Sequence, residues 1–177
     1  MRVFLLISVI LLANVCCGQD STTAVYINDA VQKIETRLLT DIMEKKDTSI
    51  FDDGDSLQKG AFLSVHTEFY TDPQTMLLDK IVERSLYKKT STELTIYFLG
   101  NQPIMFSNKQ WEGSNVRYDF SIYYMNDNPV FIAKRSQLNG TPDSDSYLRW
   151  CYELRKEYFG IVNEYNQTFA KAKFKSR

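Results

Sequence analysis

Apolar and polar residues alternate with a period of two along much of the stretch from residue 61 to residue 135. In the clearest run, residues 116–124, apolar side chains alternate with polar and aromatic ones. Successive side chains of a strand point to opposite sides of a sheet, so this pattern is typical of strands with one buried side. Residues 63–69 and 94–98 alternate in the same way, and the stretch as a whole predicts a β-sheet.

Short clusters of turn-forming residues separate these runs. Connections of this length join antiparallel neighbours, because a parallel crossover needs roughly a dozen residues or more. The sequence therefore predicts an antiparallel meander of about six strands. The turn clusters are residues 72–75, 89–91, 100–103, 112–114 and 126–129.

Residues 76–88 fit two interpretations. Their apolar residues also fall on a helical stripe, and Asp72-Pro73 would be a suitable helix start. A helix there would bring the order of elements close to that of cone-shaped folds with a central pocket. We favour a strand, because connections of hairpin length flank the segment on both sides.

Two segments outside the meander have the apolar spacing of amphipathic helices. The first is residues 22–46, and the second follows residues 139–142 with Asp143 or Ser144 as its cap. Cys151 lies on the apolar stripe of the second helix, where we expect it to be buried. We predict an α+β fold in which an N-terminal and a C-terminal helix pack against the same side of the sheet.

The first residues have the layout of an export signal. Arg2 precedes an apolar run, residues 3–13, which is too short to span a membrane. We predict a signal peptide at residues 1–18 and a single domain at residues 19–177, exported to the periplasm or the extracellular space. In an alternative, processing leaves a lipid anchor on Cys16 or Cys17.

The charge balance argues against a nucleic-acid-binding protein, and the cysteine content argues against a fold held by disulfides. Arg2 is the only charged residue among residues 1–18, so the remainder carries 20 Lys and Arg against 22 Asp and Glu. This balance lacks the excess of basic residues that nucleic acids require. Because Cys151 is the only cysteine after residue 18, the exported chain has no intramolecular disulfide.

The residues that catalysis and metal binding require are few. His66 is the only histidine, which excludes metal sites with two imidazole ligands. A Cys151–His66 nucleophilic pair is conceivable, but activated cysteines seldom lie in the middle of a helix's apolar stripe. The carboxylates of residues 47–60 lack the spacing of a helix–loop–helix calcium site, and we interpret them as a connecting loop. We therefore expect no catalytic residues, no metal and no cofactor, and we favour a protein that is not an enzyme.

Five residues on the polar sides of the predicted strands are candidates for binding a partner. Tyrosine and arginine provide contact area and directional hydrogen bonds at interfaces. The alternative is that they are ordinary neighbours on a half-solvated sheet. The candidates are His66, Tyr97, Arg117, Asp119 and Tyr123.

Residues 78–84, followed by residues 94–98 and 102–106, resemble a pattern common in small exported proteins of Bacteroidota-type bacteria. In those proteins a strand ending in Lys-Ile-Val precedes a Tyr-Phe strand and a turn into a further apolar strand. The residues Cys17-Gly18 before Gln19 are similar to the end of their signal peptides. The resemblance implies a compartment and a meander, and it assigns no activity to any residue.

Three functions follow from these observations. The preferred one is a non-catalytic exported module that binds another envelope protein, a peptide or a surface polymer. An alternative is a small-molecule carrier with an apolar pocket between sheet and helix. A hydrolase that uses carboxylates or Cys151 is the third.

Overall fold

The computed structural model describes residues 22–37, 63–72, 75, 77–136 and 140–175. Within them the chain forms two helices and six strands. Helix α1 covers residues 22–37. The elements that follow are β1 (Leu63–Thr71), β2 (Leu78–Tyr87), β3 (Thr90–Leu99), β4 (Gln102–Glu112), β5 (Asn115–Met125), β6 (Asn128–Lys134) and helix α2 (Ser144–Lys175).

The six strands form one sheet in the order β1-β2-β3-β4-β5-β6, and each pair of neighbours is antiparallel. The predicted meander is therefore confirmed. Strand β2 lies within residues 76–88, so the strand interpretation of that segment is confirmed as well. The β5–β6 turn contains Asn126 and Asp127 with φ of 50° and 63°, the positive values that two-residue hairpin turns require.

Helix α2 covers one side of the sheet, which we call the α2 face. The Tyr147 ring centroid lies 4.6 Å from that of Phe106, and the Tyr158 centroid lies 5.6 Å from that of Phe69. Cys151 belongs to this core and is fully buried, as its position on the helical stripe predicted. The strand residues of this core are Phe69, Leu78, Ile81, Leu94, Ile96, Phe98, Phe106, Phe120, Ile122 and Tyr124.

Helix α1 packs on the opposite side of the sheet, which we call the α1 face. The expectation that both helices cover the same side was therefore wrong. The reason is that both sides of the central strands carry large side chains, and each side needs its own cover. Ile27, Val31 and Ile34 of α1 form this second core together with Tyr97, Ile104, Met105 and Tyr123 of the sheet.

The start of α2 is capped as the sequence predicted. Asp143 Oδ1 accepts a hydrogen bond from the Ser146 backbone N–H at 3.3 Å, and Asp143 Oδ2 accepts one from the Ser146 hydroxyl at 2.6 Å. These two hydrogen bonds hold the pKa of Asp143 below its ordinary value. Asp143 is therefore the N-cap residue, and the helix begins at Ser144.

Three sequence predictions lie outside the described residues. They are the signal peptide at residues 1–18, the continuation of the first helix to residue 46, and the connecting loop at residues 47–60. Within the described part of the chain, no helix combines the length and the apolar character needed to cross a membrane.

Candidate functional site

Five polar side chains form a line across the α1 face, which we call the charged row. His66 of β1 lies opposite Arg84 of β2, and Arg84 lies opposite Glu93 of β3. Glu93 lies opposite Lys109 of β4, which in turn lies opposite Asp119 of β5. Because directly opposite residues share one side of a sheet, all five side chains belong to the same surface.

A buried carboxylate adjoins one end of the charged row. The Glu68 side chain is only 8% exposed, and its Oε2 accepts hydrogen bonds from Arg84 Nη1 at 3.1 Å and from the Tyr70 hydroxyl at 2.5 Å. His66 Nε2 lies 3.3 Å from Glu68 Oε1. Burial and the hydrogen bond to Glu68 raise the pKa of Tyr70 to about 12, so its phenol remains a donor at neutral pH. These contacts compensate for the burial of the carboxylate.

Contacts within the chain also hold the other charged side chains of the charged row in place. Arg84 Nε donates to Glu93 Oε2 at 2.9 Å, which joins β2 to β3. Asp119 Oδ1 accepts a hydrogen bond from Arg135 Nη1 at 3.2 Å. Lys109 Nζ lies 5.3 Å from the centroid of the Trp111 ring, within the range of a cation–π contact. From Arg84 to Asp119 the row therefore presents charges of alternating sign in defined positions.

Three apolar side chains lie beside the charged row, toward the β2–β3 and β4–β5 turns. Leu86 and Trp111 each lie opposite Ser91, and Trp111 also lies opposite Val116. Leu86 and Val116 are 52% and 46% exposed. We call Leu86, Trp111 and Val116 the apolar row. Together with the charged row it forms a partly exposed mixed surface of the kind found at protein interfaces.

Tyr97 and Tyr123 lie on the same face of the sheet, but α1 covers them. They are 8% and 4% exposed. The Tyr97 hydroxyl donates to Glu35 Oε1 at 2.5 Å, and the Tyr123 hydroxyl donates to Asn28 Oδ1 at 3.2 Å. Burial, followed by the contact with Glu35, raises the pKa of Tyr97 well above its usual range. In the structure both tyrosines hold α1 against the sheet.

The five residues selected from the sequence thus have different surroundings. His66 and Asp119 belong to the charged row, while Tyr97 and Tyr123 lie beneath α1. Arg117 forms an ion pair with Glu112 near the β4–β5 turn. The structure does not test whether any of them binds a partner.

Sequence analysis did not select Arg84, Glu93, Lys109 or the buried Glu68. A signal was present for Glu68 and Glu93, because each alternates with apolar residues along its strand. Arg84 shares its side of β2 with Val82 and Leu86, and Lys109 shares its side of β4 with Trp111, so alternation gave no signal for these two residues. Alternation alone does not show which residues of neighbouring strands lie side by side. That depends on the register of the strands, which is set by pairing between distant segments. Three interruptions of the register within the β3–β4, β4–β5 and β5–β6 pairs made that register harder to predict.

A cavity of about 400 Å³ lies between α1 and the end of the sheet near the β1–β2 and β3–β4 turns. Arg37 lines it and contacts both Asp79 and Asp72, the latter at 3.1 Å. Burial is the main cause that raises the pKa of Asp79 above its ordinary value, and the Arg37 charge acts against this. The apolar lining residues include Ala30, Ile34, Leu77 and Leu99.

The conceivable Cys151–His66 pair is excluded by the structure. Cys151 is packed into the core on the α2 face, whereas His66 belongs to the α1 face, so the sheet separates the two side chains. Burial raises the pKa of the Cys151 thiol to about 12. A buried thiol that remains protonated is not a nucleophile.

Among the described residues, no group of three or more His, Cys, Asp or Glu side chains is arranged to hold a metal ion. Comparison with known proteins found no matching family model, no matching curated protein and no matching solved structure. The fold and the surface together define an α+β domain with one helix on each side of its sheet and a mixed polar and aromatic surface beside α1.

Proposed function

We propose that this protein is a non-catalytic exported module that binds a protein or peptide partner on the α1 face. One observation carries the proposal: the apolar row, with Leu86 and Val116 exposed and Trp111 half-buried, lies directly beside the charged row, and both lie away from the second core that α1 covers. Trp and Arg, which this surface contains, are enriched among residues that dominate binding energy.

The internal pairs of the charged row support this function physically. Arg84 is held by both Glu68 and Glu93, so a partner would meet a side chain that is already oriented. Binding then costs less conformational entropy than it would with a freely rotating arginine. The alternating charges favour a partner whose own charges match them in register, which gives specificity.

The location in the periplasm or outside the cell rests on the sequence of residues 1–18. The apolar run after Arg2 has the length of a signal peptide, and Gly18 suits a cleavage site. Anchoring through Cys16 or Cys17 is the alternative. Mass spectrometry of the protein isolated from its host distinguishes a chain that begins at Gln19 from a lipid-modified one.

The binding proposal is tested by quantitative capture. The purified protein is immobilised, incubated with the envelope and secreted fractions of its host, cross-linked, and the captured proteins are quantified by mass spectrometry. The variants Leu86→Ser and Trp111→Ala are expected to lose a specific partner. Trp150→Ala is the matched control, because Trp150 is 44% exposed and lies on α2, remote from the α1 face.

One result of the capture experiment would support the binding proposal, and two would contradict it. Retention of the partner by Trp150→Ala and its loss from both α1-face variants would support the proposal. Equal capture by all four proteins, or no specific capture by the unmodified protein, would contradict it. Circular dichroism spectra of the variants check that each one is folded.

The cavity beside α1 favours a second candidate function, a carrier of small molecules. A volume of about 400 Å³ with a partly apolar lining lies within the range of small-molecule sites. Native mass spectrometry of the protein isolated from its host would detect a retained ligand. Its loss from Leu99→Arg, with retention in Leu86→Ser, would assign the ligand to this cavity, and the absence of any bound mass would exclude the carrier function.

A further inference from the structure

A nearly buried carboxylate lines the cavity beside α1. The side chain of Asp79 is only 10% exposed, and Asp79 contributes to the wall of this cavity of about 400 Å³. Its Oδ2 atom accepts a hydrogen bond from Arg37 Nη2. Among the described residues, no donor reaches its Oδ1 atom. A carboxylate oxygen in this position has room for a hydrogen-bond donor that enters through the cavity.

A β-bulge directs Asp79 toward the cavity. The β1–β2 register skips Asp79, so it is the extra residue of β2 at this point. Asp79 contacts Arg37, and the next residue, Lys80, contacts Glu35, so two consecutive side chains of β2 reach α1. Regular alternation would send one of the two to the opposite side of the sheet. The bulge therefore places a carboxylate in the wall of the cavity.

The charges around Asp79 favour a cation over an anion as the ligand. Two carboxylates share the Arg37 guanidinium, because Arg37 Nη1 also lies 3.1 Å from Asp72 Oδ2. Burial raises the pKa of Asp79 above its ordinary value even with Arg37 beside it, and the charge of Asp72 adds to this effect. A positive group next to Asp79 would stabilise its ionised form. A negative group would have to compete with both carboxylates for Arg37.

Asp29 and Lys33, which also line the cavity, offset each other. They lie four residues apart on α1, a spacing that brings opposite charges close together, and both are exposed. Water and salt screen exposed charges. These two residues therefore influence a ligand less than the nearly buried Asp79 does.

We propose that the cavity binds a small organic amine, whose ammonium group donates to Asp79 Oδ1 and whose apolar part lies against Ile34, Leu77 and Leu99. Hydrogen bonds between an ammonium group and a carboxylate are charge-assisted and stronger than neutral ones. Apolar walls with a few placed polar groups are the usual composition of small-molecule sites. The inference names the ligand class of the carrier function proposed above, on which it rests, and it does not involve the charged row or the apolar row.

Three probes of similar size test the charge of the ligand. Phenethylamine is cationic at neutral pH, phenethyl alcohol is neutral and phenylpropionate is anionic. Each is titrated by calorimetry into the protein purified from its host. Phenethylamine is expected to bind, the alcohol is expected to bind about tenfold more weakly, and phenylpropionate is expected to show no binding.

Asp79→Asn tests where the ammonium group lies. It keeps the size of the side chain and removes its charge, so it is expected to weaken the binding of phenethylamine about tenfold. Asp145→Asn is the matched control, because Asp145 is exposed on α2, on the opposite side of the sheet from α1. It is expected to leave the binding of phenethylamine unchanged.

Leu99 provides a second test, which remains decisive if Asp79→Asn does not fold. Leu99 lines the cavity and is 48% exposed. Leu99→Arg adds a positive charge to the wall and is expected to weaken the binding of phenethylamine about tenfold. Leu99→Glu adds a negative charge at the same position and is expected to retain the binding.

Preference for phenethylamine, with loss of binding in Asp79→Asn and Leu99→Arg alone, would support the inference. It would be overturned by no binding of phenethylamine, by binding of either other probe as tight as that of phenethylamine, by equal effects of Asp79→Asn and Asp145→Asn, or by equal binding to Leu99→Arg and Leu99→Glu. A ligand without an amine, retained in native mass spectrometry, would overturn the amine assignment and leave the carrier function in place. If no ligand is retained and no probe binds, both are contradicted.

Discussion

Glu35 of α1 accepts a hydrogen bond from the hydroxyl of Tyr97, at 2.5 Å, and this contact joins the helix to the middle of the sheet. Lys80 Nζ donates to the same Oε1 atom at 2.6 Å. Burial raises the pKa of Glu35, but the hydrogen bonds from Lys80 and Tyr97 together outweigh it, and the net effect lowers the pKa below its ordinary value of 4.5. The ionised carboxylate is therefore part of how α1 is held.

Glu35→Gln is expected to lower the free energy of unfolding at pH 7 by about 1 kcal/mol, because a neutral amide replaces a charged acceptor. A carboxyl whose pKa is lowered in the folded state stabilises the fold above its unfolded pKa and loses this effect as the pH falls through the folded pKa. The difference between variant and parent should therefore shrink below pH 4.5. Urea unfolding at pH 7 and pH 3.5 measures it.

Asp29→Asn is the control for Glu35→Gln, because Asp29 lies exposed on the same helix. It is expected to change the stability by less than about 0.5 kcal/mol at either pH. An equal effect of the two variants, or a loss in Glu35→Gln that does not depend on pH, would contradict the role given to the carboxylate.

Glu83→Gln is expected to stabilise the protein at neutral pH. Burial, with a smaller contribution from the nearby Glu157 charge, raises the pKa of Glu83 above 4.5. A carboxyl with a raised folded pKa favours the fold at pH values below its unfolded pKa, and its ionisation opposes folding as the pH rises. The melting temperature of Glu83→Gln should therefore exceed that of the parent at pH 7 and approach it at pH 4.

Glu153→Gln is the control for Glu83→Gln, because Glu153 is exposed on α2. Glu153→Gln removes the same charge from solvent and is expected to leave the melting temperature nearly unchanged. If Glu83→Gln melted below the parent at pH 7, the assignment of a destabilising carboxylate would be wrong.

Cys151 is expected to resist alkylation in the folded protein. Its side chain is fully buried, and burial raises the pKa of its thiol to about 12, so the thiol stays protonated at pH 7. Iodoacetamide labelling followed by mass spectrometry should show reaction only after denaturation. Val116→Cys supplies an exposed thiol that should react rapidly, and rapid labelling of Cys151 under native conditions would show that it is accessible.

Stability and binding are expected to depend on different rows of the sheet. Ile96 is fully buried, so Ile96→Ala should cost about 2–5 kcal/mol in urea unfolding. Leu86 is 52% exposed, so Leu86→Ala should change the stability by less than about 0.5 kcal/mol. A large loss of stability in Leu86→Ala would mean that the apolar row is part of the folded core and not a free surface.

The position of His66 beside Arg84 illustrates the limit of sequence analysis. The alternation in β1 placed His66 on the polar side of its strand, whereas β2 does not alternate and Arg84 shares its side with Val82 and Leu86. Their contact depends on a register that joins residues 18 positions apart, and on Glu68, which lies 3.1 Å from Arg84 and 3.3 Å from His66. The sequence contained the phase of β1 but neither the phase of β2 nor the alignment between the two strands.

The sequence by itself determined the elements of this fold, because alternation and turn chemistry are local properties. Period two and the clusters at residues 100–103 and 126–129 predicted the strands and their antiparallel order. Only the tertiary structure decided where α1 lies. An amphipathic stripe shows that a helix needs a partner but not which side of the sheet supplies it. Tyr97 and Tyr123 settled that choice, since burying their rings required a helix on the side opposite α2.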